Sequence, residues 1–254
     1  GYGGGQVPTP NLDRIAQQGA VAERFYTLAP VCTPSRYVWM TGHCAQRCPH
    51  PSYTGSQRPG EPSWVSFNTT FDPSLETGLA LEMQKLGYRC GFTGKWHTHG
   101  TDDEKKAYDP DASLDDPAIQ KRLRARYDRF QSWVRSCGFD YADGICWGNP
   151  DERPIRAMHT HNLGWITHSA LEFLDAQQGS DQPFFLYVAP TALHGPHHLD
   201  SLYSDGRITE AGLQETDYAT ALPPRRTIPE RLEQAGLAVN HHNAGMLWID
   251  DLVG

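Results

Sequence analysis

Apolar positions along this chain switch between a helical spacing and short unbroken runs, and the switching predicts its elements. In "TPNLDRIAQQG", Leu12, Ile15 and Ala16 share one helical face, with Thr9 as cap, Pro10 at the first helical position and Gly19 as the stop. The following "AVAERFYT" reads as a strand, and "TPSRYVWMTG" as a second short helix with Pro34 near its start and Gly42 at its end. A third helix, "LETGLALEMQKLG", places Leu79, Leu81, Met83 and Leu86 at its apolar positions and ends at Gly87. "YRCGFTG" then reads as a strand, followed by a long charged helix within Asp115–Ser136. "NLGWITHSALEFLDAQQG" is amphipathic and stops at Gly179, just before the buried-type strand "FFLYVA".

Strands alternating with helices predict an α/β fold, with a mixed, mostly parallel central sheet sandwiched by helices and long active-site loops. Pro49–Asp72 and Ser204–Pro229 lack a clear period, and loops of that length in a compact domain are usually functional or disordered. There is no internal repeat and no linker dividing the chain in two. With 22 basic against 30 acidic residues and no Lys/Arg-rich run, nucleic acid is not an expected partner. The apolar run Pro183–Ala189 is far shorter than a membrane span.

The chemistry gathers in three stretches. Cys32 starts a helix, where free backbone N–H groups and the positive end of the dipole meet its side chain, and Arg36 lies one turn on. That is a site for an anionic group carried on residue 32, or else an ordinary buried cysteine beside a capping motif. In "GYRCGFTGKWHTHG" a strand end delivers Lys95 and His97 at period two, so that both can reach one face. A polar loop with a packed Trp96 is the plain alternative. In "FFLYVAPTALHGPHH" another strand ends at Pro190, and His194 emerges beyond it with His197 and His198 behind. Reactive groups collect beyond the C-terminal strand ends of parallel sheets, which favours a shared cleft over a metal-binding surface tract. His159, His161, His241 and His242 precede or begin helices and read as surface or capping residues. Cys44 and Cys48 form half of a metal clip with no second pair at zinc spacing. The remaining cysteines read as buried thiols, or as one or two disulfides in an exported protein.

These motifs resemble the sulfatase family, of the alkaline-phosphatase-like superfamily. "CTPSRYVWMTG" is similar to its Cys-x-Pro-Ser-Arg signature with Thr-Gly in register, and "GYRCGFTGKWH" to its second signature through Gly94-Lys95-Trp96-His97. "TPNLDRIAQQGAVAERFYT", "PFFLYVAPTALHGP" and "AGMLWIDDLVG" resemble further segments of the same family, so the likeness runs along nearly the whole chain.

The resemblance implies hydrolysis of sulfate monoesters of carbohydrates or aryl alcohols. Cys32 would be matured to formylglycine by a formylglycine-generating enzyme and serve as nucleophile and metal ligand. Arg36 would hold that group, Lys95 would bind sulfate, His97 would take a proton and His194 would protonate the leaving alcohol. Calcium, or magnesium in its place, would be held by acidic pairs lying before Gly1-Tyr2-Gly3 and after the last helix. Residues 1–254 are thus expected to be a partial catalytic domain, inactive in isolation, without its first strand and C-terminal part. Asp250 and Asp251 fall on the helix and are not that metal pair. No signal-peptide pattern is visible, and a periplasmic or secreted location follows from family habit alone. A phosphonate or phosphate monoester hydrolase of the same superfamily, or a non-catalytic binding relative, are the alternatives.

Overall fold

In a computed structural model, which describes residues 5–99, 103–195 and 198–254, the elements are α1 (Pro10–Gln18), α2 (Cys32–Thr41), α3 (Pro51–Thr54), α4 (Leu79–Lys85) and β1 (Arg89–Lys95). They continue with α5 (Pro117–Ser136), β2 (Tyr141–Cys146), α6 (Leu163–Asp175), β3 (Phe184–Ala189) and α7 (His198–Ser201). A small hairpin, β4 (Ile208–Thr209) and β5 (Gly212–Leu213), precedes α8 (Ile228–Gln234) and α9 (His241–Val253). The Gly1-Tyr2-Gly3 stretch and His197 lie outside the described residues. Asp116 and Asn162 cap α5 and α6 by accepting from Ala118 N and Trp165 N.

Among the described residues, the main sheet is parallel and ordered β2–β1–β3. Its pleat divides the packing. On one face of β1, Gly91 abuts the Phe173 ring of α6, and Thr93 Oγ1 donates to Ile166 O of α6 at 3.1 Å. On the other face, Cys90 Sγ meets Ala80 O of α4, and Phe92 packs edge-on against Trp96 and Phe139. Helices therefore cover both faces, as a parallel sheet requires. Helix α5 covers the outer edge of β2: Ile145 N donates to Tyr127 Oη at 3.2 Å, and Gln131 Nε2 donates to Ala142 O at 3.1 Å. At the centre, Gly94 has φ +100° and a Cβ there would lie 2.1 Å from Ala189 O, so only glycine lets β1 and β3 close at this level.

Three expectations change. "AVAERFYT" is not a strand; its residues are exposed and lie beside helix α2, with Phe25 stacked on Trp39, so no described strand completes a ladder with them. "FFLYVA" is only partly buried, with Phe184 45% exposed, because β3 is an edge strand among the described residues. The third helix starts at Leu79 rather than earlier, with Gly78 as its extended cap against the Phe71 ring.

The acidic pair on α9 is structural. Asp250 accepts from Asn11 N at 3.1 Å and Leu12 N at 2.9 Å, capping α1 from outside, while Asp251 makes a two-pronged pair with Arg231 at 2.7 Å. Of the loop histidines, His161 differs from expectation. His161 is fully buried, bonds Thr191 Oγ1 at 2.8 Å and stacks on His198 at 4.3 Å, because α6 and α7 close over it; the cap itself is Asn162. His159 is half-buried against Arg153 O at 3.0 Å, whereas His241 and His242 begin α9 on the surface.

Candidate active site

The site assembles where α2 starts and where β1, β2 and β3 end. Cys32 is the first residue of α2, after Val31 in extended conformation. The first ladder bond runs from Ser35 N to Val31 O and Pro34 has no N–H, so the Cys32 and Thr33 amides have no acceptor within the helix. One turn on, Arg36 Nη1 donates to Lys95 O at 2.5 Å, tying α2 to the end of β1.

Lys95, the last residue of β1, is buried and donates Nζ to Asn149 Oδ1. Burial is the leading cause that pushes both the Arg36 and Lys95 pKa values down, and at both a negative charge on residue 32 acts in the opposite direction. Two desolvated cations therefore face a position where an anion would stabilise them.

His97 lies beyond the strand. The β1–β2 ladder runs on, with Trp96 N donating to Cys146 O at 2.8 Å and His97 N to Trp147 O at 3.0 Å. His97 then turns at φ +54°, a left-handed conformation costing a non-glycine residue on the order of 1–3 kcal/mol. Strand alternation alone thus does not aim this side chain; the turn does. Its Nδ1 is 3.2 Å from Cys32 Sγ and its Nε2 is 3.3 Å from Glu152 Oε2. Burial, then the charges of Lys95, Arg36 and His194, lower its pKa to about 3, so the imidazole is neutral and able to accept a proton.

His194 follows β3 in an exposed turn, close enough for its charge to act on His97. Its Nδ1 lies 2.6 Å from Gly195 O, and since a carbonyl only accepts, Nδ1 carries the proton. Four of the residues singled out in the sequence, Cys32, Arg36, Lys95 and His97, thus meet at one point, and His194 lies in the exposed turn beyond β3.

Two site residues were missed, Asn149 and Glu152. Both follow β2, itself unrecognised because Asp143 and Gly144 interrupt its apolar pattern. Asn149 N and Nδ2 donate to Glu152 Oε2 and Oε1 at 2.9 and 2.8 Å. The signal available was the polar turn "GNPDE" after "YADGIC", in the same relation to its strand as the turn that carries His97. Beside His97 opens a cavity of about 270 Å³, lined in part by Trp147, Asn149 and Glu152. It takes Phe67 from one irregular stretch and Glu210 from the other.

The cysteines are all free. Cys44 is exposed while Cys48 is buried against Thr70 O, so they do not form a clip. Among the described residues no group of three or more His, Cys, Asp or Glu side chains could hold a metal ion. The groups around Cys32 are imidazole, ammonium and guanidinium, whereas calcium takes six to eight oxygens. These residues do not fit calcium.

The sulfatase family model matches residues 1–254. The chain is 27% identical to the ulvan-active sulfatase of Formosa agariphila over 198 residues, covering 78% of this chain and 33% of that protein. It is 29% identical to N-acetylgalactosamine-6-sulfatase of Canis lupus familiaris over 203 residues, covering 77% of this chain and 37% of that protein. It spans about a third of the length of these curated relatives. A solved structure concerned with the metabolism of multiple glycosaminoglycans by Bacteroides thetaiotaomicron shares the fold, with a TM-score of 0.50 and 16% identity over 97% of this chain and 49% of that one.

Proposed function

The chain belongs to the sulfatase family, and from that premise we propose that the protein containing it hydrolyses sulfate monoesters of carbohydrates, or of aryl alcohols, with residue 32 matured from cysteine to formylglycine as nucleophile. The observation that carries this reading is the convergence on Cys32 of the His97 imidazole at 3.2 Å and two desolvated cations, Arg36 and Lys95. Residue 32 as hydrated formylglycine supplies one hydroxyl to attack sulfur and a second whose deprotonation expels sulfate, which a thiol cannot do.

The chain's own residues provide the rest. Lys95 and Arg36 neutralise the sulfate oxygens in a site where burial strengthens their pull. His194 holds one proton at Nδ1 on Gly195 O, so Nε2 is the atom that gives a proton to the departing alcohol. His97 receives the proton of the second hydroxyl at Nδ1. Calcium, or magnesium, belongs to the proposal for the whole protein, with its carboxylates supplied from outside these residues. Maturation by a formylglycine-generating enzyme and a periplasmic or secreted location belong to it as well. Sulfated carbohydrates are favoured as substrates because two similar relatives are named as an ulvan-active and an N-acetylgalactosamine-6-sulfatase.

Matched sulfate and phosphate esters of one alcohol, offered to the full-length protein, test the reaction class: sulfate release is expected to dominate. Faster phosphate release would instead make it a phosphomonoesterase, and release of neither would make it a binding relative. His194→Ala is expected to slow esters of poor leaving alcohols by roughly 10²–10⁴-fold while nitrophenyl sulfate is little affected, since a general acid matters most when the leaving oxygen needs its proton. Equal loss across a leaving-group series would remove His194 from that role.

A further inference from the structure

We propose that Glu152 is the positioning residue of His97: its carboxylate selects the imidazole tautomer protonated at Nε2, which turns an unprotonated Nδ1 toward residue 32. The inference rests on the reading of residue 32 as the nucleophile only for its catalytic consequence, not for the tautomer itself.

The geometry is a chain of three groups. Nε2 of His97 stands 3.3 Å from Glu152 Oε2, and Nδ1 stands 3.2 Å from Cys32 Sγ. An ionised carboxylate offers only acceptors, so the ring proton belongs on the nitrogen facing it. A nucleophile, an imidazole and a carboxylate in succession, each within contact distance of the next, is the arrangement in which the acid can bias ring tautomer.

The carboxylate is itself held. Asn149 N and Nδ2 donate to its two oxygens at 2.9 and 2.8 Å, which fixes its plane within the short turn Pro150–Glu152. Gly148 makes room, since a Cβ there would sit 2.0 Å from Glu152 Oε2. Asn149 Oδ1 also receives the Lys95 ammonium, so one turn after β2 sets both the sulfate-binding cation and the base. The His97 backbone is fixed by its bond to Trp147 O, and its ring lies between Cys32 Sγ and the Glu152 carboxylate. Glu152 does not act on substrate; its side chain is 41% exposed and contributes little to the core, so replacing it should leave the fold standing.

The test is ¹⁵N NMR of the histidine-labelled full-length protein, read on His97, together with steady-state kinetics of Glu152→Ala and Glu152→Gln. Wild type is expected to show the Nε2–H tautomer. Glu152→Ala should lose that preference and lower kcat by roughly 10²–10⁴-fold with KM little changed, as for the loss of an orienting acid. Glu152→Gln keeps an acceptor oxygen and is expected to recover the tautomer and part of kcat. An Nδ1–H tautomer in wild type, an unchanged tautomer in Glu152→Ala, or a loss confined to KM would overturn the proposal. The tautomer can be read whether or not residue 32 is matured. Absence of sulfate hydrolysis by wild type would therefore refute the functional reading while the NMR result still decides the role of Glu152.

Discussion

Cys32→Ala is expected to abolish turnover in the full-length protein, lowering kcat by on the order of 10⁴–10⁶-fold, the loss that follows removal of a covalent nucleophile from an otherwise intact site. The site should stay intact because Cys32 is only partly buried at the first position of α2, where alanine is tolerated. Binding of sulfate should therefore persist through Lys95 and Arg36. Cys137→Ala provides the control. Cys137 is also a free thiol, but it is buried at the C-terminal end of α5, and burial drives its pKa upward. Its removal should lower stability and leave the chemistry in place. Rates of both variants, measured on one aryl sulfate, decide the matter: a Cys32→Ala enzyme within tenfold of wild type would refute the nucleophile assignment.

Glu210→Ala is expected to cost about 3–5 kcal/mol of stability. Glu210 is 1% exposed and lies between two buried guanidiniums, at 2.9 Å from Arg126 Nη1 and 2.8 Å from Arg153 Nε. Without it, two buried cations lose the carboxylate they share, and that is a large fraction of the roughly 5–15 kcal/mol by which domains are stable. Arg153 still donates to Met158 O and Thr160 O, so the damage should be graded rather than total. Activity should fall too, because Arg153 Nη2 also reaches Cys146 Sγ, and Cys146 O holds the backbone leading to His97. Urea unfolding of the full-length protein would show the shift, with Glu61→Ala, on an exposed pair with Arg58, leaving the midpoint in place. A Glu210 variant with a wild-type midpoint would show that the triad is not under this constraint.

What the residues disclose in advance depends on how local the physics is. Helices α5 and α6 are legible because their caps and apolar faces lie within one segment, and α1 and α2 because a proline near the start and a glycine at the end bracket each of them. Strand β1 up to Lys95 and the link from Cys32 to Arg36 one turn later are legible from their own segments, whereas the aim of His97 is not, because a turn at φ +54° sets it. Strand β2 is hidden because its stability comes from elsewhere: Asp143 accepts from Tyr127 of α5, and β1 and α5 flank it on either side. Asn149 and Glu152 inherit that obscurity, since they become site residues only once β2 ends beside β1. His161 looks like a helix-capping surface residue until His198, far along the chain, stacks on it. Conversely "AVAERFYT" has the composition of a strand but finds no neighbour among the described residues to pair with. Local propensity proposes an element, and a partner decides whether it forms.

The account depends most on residue 32. The direct measurement is mass spectrometry of the peptide spanning Val31–Arg36, taken from full-length protein that releases sulfate, with and without a hydrazide reagent that captures aldehydes. The account predicts an aldehyde at residue 32 in proportion to specific activity, and loss of activity when the reagent captures it. Fully active protein carrying only an unmodified thiol at Cys32 would contradict it.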